Sequence, residues 1–258
     1  MLDGSRILVW CALAIPSVAS IPEDLSVLTI RPAQARGHAN HGWLDTWHTF
    51  SFANYHDEAH MGFRGLRVIN DDIIAGGMGF GTHGHRDMEI VTWVLDGALS
   101  HKDSLGNGST LKPGDVQRMS AGTGIRHSEF NGLADQATRL LQIWIEPERT
   151  GTAAGWQERH FPRAEREHRL CTIVARDGRD GSLTIGADVT VATGLLAPGD
   201  RVRWDLAPGR HAWVQVARGA LGVNGNAVTA GDGVALSDEA AVDLAATADS
   251  EVLLFDLG

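Results

Sequence analysis

From Leu28 to the C-terminus the chain is dominated by short runs of β-branched and aliphatic residues, and no other feature restricts its fold as much. Such runs occupy 66–69, 90–95, 140–145, 170–174, 189–193, 213–216 and 252–255. Between them stand turn signals, among them Asp96-Gly97, Gly106-Asn107-Gly108 and Asn224-Gly225. β-Branched side chains suit a pleated, half-buried surface, and Gly, Asn and Asp reverse the chain at little steric cost. Helical periodicity is scarce. The stretch 152–169, with Gly155, Pro162 and many charges, reads as a linker carrying one short helix. The pattern predicts an all-β protein of barrels or sandwiches.

The same punctuation occurs twice. Gly97-Ala98-Leu99 is echoed by Gly219-Ala220-Leu221, and Pro113-Gly114-Asp115 by Ala230-Gly231-Asp232. Two copies of a barrel of about 110 residues each account for the length and lie within the usual domain range. The expected layout is an N-terminal extension over 1–27, a first domain over 28–150, a linker over 151–169 and a second domain over 170–258.

The extension differs in composition from the rest. An apolar run over 7–19 follows the single Arg6; it is shorter than a membrane span and has the length of a signal-peptide core, with Val18-Ala19-Ser20 as a cleavage site. Asp3 beside Arg6 weakens the positive region such a peptide needs. The segment therefore reads as a leader or an upstream start outside the fold, with a cytoplasmic protein expected and secretion through residues 1–20 as the alternative. Only Cys11 and Cys171 are present, so no cluster of Cys ligands forms within one chain. With 22 Lys and Arg against 32 Asp and Glu, the net charge of −10 opposes binding to phosphate backbones or anionic lipid. No direct nucleic-acid or membrane partner is expected.

Twelve histidines are the unusual count, and nine precede Asn131. In a strand, residues i and i+2 leave the same face, so His83 and His85 point together, as do His127 and Glu129. A lone His-x-His is usually a solvated polar face. Here a second pair follows after a turn-rich hairpin, the connection that brings two antiparallel strands together. Three imidazoles and a carboxylate then converge, a set that suits a divalent transition metal rather than calcium or magnesium.

The residues Gly77 to Gly97, with His83-x-His85 and Glu89, and Gly124-x-x-His127-x-x-x-Asn131 resemble the two cupin motifs. The longer runs His83 to Gly97, His101 to Asn107, Pro113 to Gln117 and Ser120 to Glu129, with Arg36 to Asp45 and Thr49 to Phe52, resemble the pirin family over residues 28 to 258. The likeness is to bacterial pirin-like bicupins that act as quercetin dioxygenases. It implies two face-to-face cupin barrels with few short helices, and one metal held in the first by His83, His85, His127 and Glu129. Glu89 occupies the general cupin glutamate position but reads as a bystander, because in pirin-like proteins the carboxylate comes from the residue two after the second-motif histidine.

The resemblance further implies cleavage of a flavonol such as quercetin with O₂ and release of carbon monoxide. Glu129 would serve as ligand or as the base that takes the flavonol hydroxyl proton. Iron(II) is the expected ion, while nickel, copper, manganese and zinc also suit the residue types. A regulatory or redox-sensing metal protein, acting on protein partners without catalysis, is the alternative. The repeat places His83 and His85 on Asp205 and Ala207, and His127 and Glu129 on Leu244 and Ala246, so the second barrel is expected to lack a metal. Its one histidine, His211, is expected to be exposed or hydrogen-bonded. His38 and His41 read as structural hydrogen-bonding residues, His56, His60 and His101 as members of loop-like polar runs, and Trp43, Trp47 and Trp93 as core.

Overall fold

The computed structural model describes residues 27–258; the apolar run over 7–19 and Cys11 lie outside the described residues. The first half runs through β1 (Val27–Arg31), β2 (Gly37–Asn40), β3 (Leu44–His48), β4 (Leu66–Ile74), β5 (Gly79–His85) and β6 (Glu89–Asp96). It continues with β7 (Leu99–Asp103), β8 (Gly108–Leu111), β9 (Asp115–Ser120), β10 (Ile125–Asn131), β11 (Thr138–Ile145) and β12 (Gly155–His160). A one-turn helix α1 (Arg163–Arg166) leads to the second half, so the stretch expected as a linker also contributes a strand. There follow β13 (Leu170–Ala175), β14 (Leu183–Thr184), β15 (Val189–Leu196), β16 (Arg201–Asp205) and β17 (His211–Arg218). The last strands are β18 (Ala220–Val223), β19 (Asn226–Thr229), β20 (Gly233–Ser237), β21 (Ala241–Ala246) and β22 (Ser250–Leu257).

Each half is a seven-stranded sheet facing a four-stranded one. In the first half the orders are β12-β9-β6-β11-β4-β3-β2 and β5-β10-β7-β8. In the second they are β1-β20-β17-β22-β15-β13-β14 and β16-β21-β18-β19. The expected all-β bicupin is thus observed. β1 crosses between halves: it pairs antiparallel with β20, covering an edge that would otherwise offer unpaired backbone groups.

The duplicated tripeptides mark equivalent corners. Gly97 and Gly219 both take left-handed φ values, +79° and +81°, and a Cβ on either would run into Thr138 or Ser250. The next residues are held alike: Thr138 Oγ1 accepts from the Ala98 N–H at 3.0 Å, and Ser250 Oγ from the Ala220 N–H at 3.1 Å. Asp115 and Asp232 accept from the backbone N–H groups of Lys112 and Thr229 at 2.7 and 2.8 Å.

The seven-stranded sheets pack face to face. Val91, Trp93 and Leu95 of β6 and Leu141, Ile143 and Ile145 of β11 meet Val191, Trp213, Leu253 and Phe255 in one continuous buried cluster. The two barrel interiors are unlike. The second is filled by a single aliphatic cluster that includes Val214, Leu221, Val242, Leu244 and Leu254. In the first, an apolar group around Ile74, Val94 and Leu140 is separated from another around Ile90, Met119 and Ile125. Between them, His48, Asn70, Gln142, Thr92 and Gln117 lie in register across β3, β4, β11, β6 and β9. This polar belt makes the first barrel the one that can receive a charged group. Among the described residues, no helix is long and apolar enough to cross a membrane.

Candidate metal centre

The small sheet of the first barrel carries the histidines. β10 pairs with β5 so that His127 faces His83 and Ile125 faces His85, and it pairs with β7 so that His127 faces Asp103 and Glu129 faces His101. Three adjacent strands therefore each turn an i,i+2 pair to the same face: His83 and His85, His127 and Glu129, His101 and Asp103. A bulge on β10 between His127 and Glu129 shifts the register against β5. Gly79 permits that approach, since a Cβ there would stand 2.3 Å from the Glu129 carbonyl oxygen.

His85 Nε2 and His127 Nε2 are 2.9 Å apart, and the ligand nitrogens of His83, His85 and His127 all lie within 4.8 Å of one another. His83 Nδ1 is hydrogen-bonded to the Gly81 carbonyl at 2.8 Å, leaving its Nε2 for the cluster. Two nitrogens about 2.1 Å from one ion at a right angle are about 3 Å apart, so the spacing fits coordination. Burial, with the His83 imidazole beside it, lowers His85 to about 4. Burial and the His83, His85 and His101 rings lower His127 to about 3. Both rings are neutral at physiological pH, the form in which imidazole binds a metal. The donor set is that of a divalent-metal site.

Glu129 lies beneath this cluster. Its side chain is nearly sealed from solvent, accepts from Gln142 Nε2 at 2.8 Å and from Gln117 Nε2 at 3.5 Å, and is raised to about 7 by burial and then by the Asp72 carboxylate. Its oxygen joins nitrogens of His127 and His101 in a second group within 4.8 Å. The structure thus brings the three expected histidines together and sets Glu129 one step deeper, with His127 common to both groups.

Glu89 points the other way. It is on the outer face of β6, takes hydrogen bonds from Ser120 Oγ at 2.9 and 2.7 Å and packs against Gly186 of the second half. Its burial there explains a carboxyl held above its usual range. Of the remaining histidines, His38 is exposed, 2.6 Å from Asp45 and stacked on Trp47, and His48 is buried against Asn70 at 2.8 Å. His56 and His41 are exposed, and His60 meets Asp57 at 2.8 Å. His211 is buried and hydrogen-bonded to Ser237 Oγ at 2.8 Å.

Two expectations need revision. His101 is not a loop residue: it is 1% exposed on β7, because its side chain alternates inward with Leu99 and Asp103. Trp43 and Trp47 are half-buried rather than core, whereas Trp93 is fully buried and donates to Glu251 at 2.9 Å. The tryptophans beside the imidazoles are others. Trp144 stands edge-on to His85 at 4.9 Å and Trp156 lies parallel to His101 at 6.0 Å. His101-Lys102-Asp103 carried the same i,i+2 signal as the two recognised pairs.

The repeat offsets place Asp205 and Ala207 on His83 and His85, but Asp205 is exposed on β16. By strand register, with Ala246 paired to Leu221 as Asn131 is to Leu99, the counterparts of His127 and Glu129 are Val242 and Leu244 and that of His83 is Trp204, all packed in the aliphatic cluster. Among the described residues no metal-ligating cluster occurs there.

Residues 29–145 match the pirin family model, and residues 172–257 match the quercetinase C-terminal cupin domain. Quercetin 2,3-dioxygenase of Escherichia coli K12 is 47% identical over 231 residues, 90% of this chain and 99% of that protein. The chain belongs to the pirin family. A pirin-like protein of Caulobacter vibrioides is 42% identical over 88% of the chain and 97% of its own length. Among solved pirin structures, YhhW from Escherichia coli superposes with a TM-score of 0.87 at 47% identity, covering 90% of this chain and 98% of that one. A second structure, of the same bacterial pirin in complex with nickel(II), gives 0.85 over 90% and 99%.

Proposed function

We propose that this chain is a metal-dependent dioxygenase that opens the ring of flavonols such as quercetin with O₂ and releases carbon monoxide. The observation that carries the reading is the convergence of three imidazoles above a buried carboxylate, in a chain 47% identical to a quercetin dioxygenase over 90% of its length. His83, His85, His127 and Glu129 would hold one ion, with iron(II) favoured because a set of His and carboxylate with open positions suits it. A bound divalent ion supplies Lewis acidity toward a phenolic oxygen.

The protein's own groups do the rest. Glu129, poised near neutrality, can accept the hydroxyl proton of the flavonol once it is ionised. Gln142 and Gln117 hold that carboxylate in place. Trp144, Phe52 and the Ile90, Met119 and Ile125 group give an apolar surround that restricts water and suits a flat aromatic substrate.

The test uses purified protein reconstituted separately with iron(II), nickel, copper and manganese and given quercetin in air. Metal-dependent loss of flavonol absorbance with carbon monoxide release is expected, and His127→Ala abolishes it. No consumption with any ion, or full activity in His127→Ala, overturns the reading. Elemental analysis of protein purified without added metal identifies the resident ion.

A further inference from the structure

We infer that Asp103 and His101 form a buried relay that fixes the tautomer and orientation of His127, making His101 a positioning residue of the metal centre. The inference rests on the reading of His127 as a ligand and assigns a task to residues outside the proposed ligand set.

His127 turns Nε2 toward His85, so its other nitrogen, Nδ1, faces away from the imidazole cluster. A histidine that binds an ion through Nε2 carries its proton on Nδ1, and that proton needs an acceptor. The nitrogen placed to accept is His101 Nδ1, 3.5 Å away. His101 must then carry its own proton on Nε2. That atom is buried without a hydrogen-bond partner and faces Asp103 Oδ2 at 3.6 Å, just beyond hydrogen-bond range. One set of proton positions suits all three residues: His127 donates to His101, and His101 points its proton toward the Asp103 carboxylate, 3.6 Å away.

Each member is held from elsewhere. Asp103 accepts from Asn107 Nδ2 at 2.8 Å and from the backbone N–H groups of Leu105 and Asn107 at 2.9 Å, the turn that closes β7 onto β8. Trp156 covers the His101 ring with an interplanar angle of 13° and is itself anchored through Nε1 to Gln117 at 2.9 Å. His101 also faces Glu129, Nδ1 to Oε1 at 4.0 Å, so the same ring borders both the imidazole and the carboxylate. His101, His127 and Glu129 also have ligand atoms within 4.8 Å of one another, the spacing of a second metal site. A single imidazole serves two ions only after losing its second proton, which makes the relay the simpler assignment.

The test measures cobalt(II) affinity by chelator competition, the ligand-field spectrum, ions bound per chain, and thermal unfolding of the metal-free protein. His101→Phe keeps the ring and its stacking but removes both nitrogens. It is expected to fold, to bind cobalt(II) about 10–100-fold more weakly and to show an altered spectrum. His101→Asn, whose amide offers an acceptor near Nδ1, is expected to recover most of the affinity and the native spectrum. If His101→Phe does not fold, His101→Ala takes its place. Wild-type affinity and spectrum in the folded variant overturn the inference. Two ions per wild-type chain, one of them lost on substitution, also overturn it, since His101 is then a ligand. His127→Ala separates the two levels: if it too binds like wild type, the ligand reading itself has failed.

Discussion

Gln142 on the seven-stranded sheet donates to Glu129 on the four-stranded sheet at 2.8 Å, joining the two walls of the first barrel directly beneath His127. The amide is itself oriented by Thr92, whose hydroxyl donates to Gln142 Oε1 at 2.8 Å. The carboxylate is therefore presented by the belt that divides the barrel's apolar interior. Gln142→Leu keeps the volume and removes the donor. Glu129 would then lose a bond that favours its charged form, and metal affinity should fall about 10–100-fold while the metal-free fold persists. Calorimetric titration with nickel checks this; unchanged affinity would show that Glu129 needs no such support.

Asp72 gives a pH-dependent prediction. It is buried on β4 with Oδ1 unpartnered and is raised to about 7 by burial, with the neighbouring Asp71 carboxylate adding to the rise. Between its ordinary range near 4 and about 7 the folded state holds a proton that the unfolded chain has released, so stability falls as pH rises through about 7. Asp72→Asn is neutral throughout. The difference in melting temperature, variant minus wild type, should grow from pH 5 to pH 8.5 in metal-free protein. A difference that does not change with pH defeats the argument.

The metal stoichiometry follows from how the two barrels are filled. Val242 and Leu244, the register counterparts of His127 and Glu129, belong to an uninterrupted aliphatic cluster, and His211 is committed to Ser237 and Arg64. Protein loaded with nickel and freed of excess metal should carry one ion per chain, and His83→Ala should reduce this below one. A second tightly held ion that survives His83→Ala would place a site outside the imidazole cluster.

The parts that could be read directly were those whose partners are close in sequence. His83-x-His85 and His127-x-Glu129 are visible because a strand's two-residue period puts each pair on one face without knowledge of the sheet. The paired corners at Gly97 and Gly219 are visible because a left-handed φ strongly favours glycine in both copies. His101-x-Asp103 had the same spacing, but the turn residues after it disguised a strand as a loop. Asn70, Thr92, Gln117 and Gln142 come from four separate strands, and only the sheet register collects them into a belt. The pairing of β1 with β20 likewise has no local signature, because any strand can cover an edge.

Glu89 and Gly186 allow the interface between barrels to be perturbed apart from the metal. A Cβ at Gly186 would stand 2.8 Å from Glu89 Oε1, a carboxylate fixed by Ser120 and buried between the two halves. Gly186→Ala must displace that group or shift the backbone, and overpacking of this kind costs about 1–3 kcal/mol. For a chain of this size the melting temperature should drop by about 2–4 °C per kcal/mol. Glu89 does not join the imidazole cluster, so cobalt(II) affinity and spectrum should be unchanged in Gly186→Ala. Calorimetry and chelator competition on the same samples check both halves of the statement. Loss of metal affinity in a variant that still folds would mean that Glu89, placed where other cupins carry a ligand, acts on the centre after all.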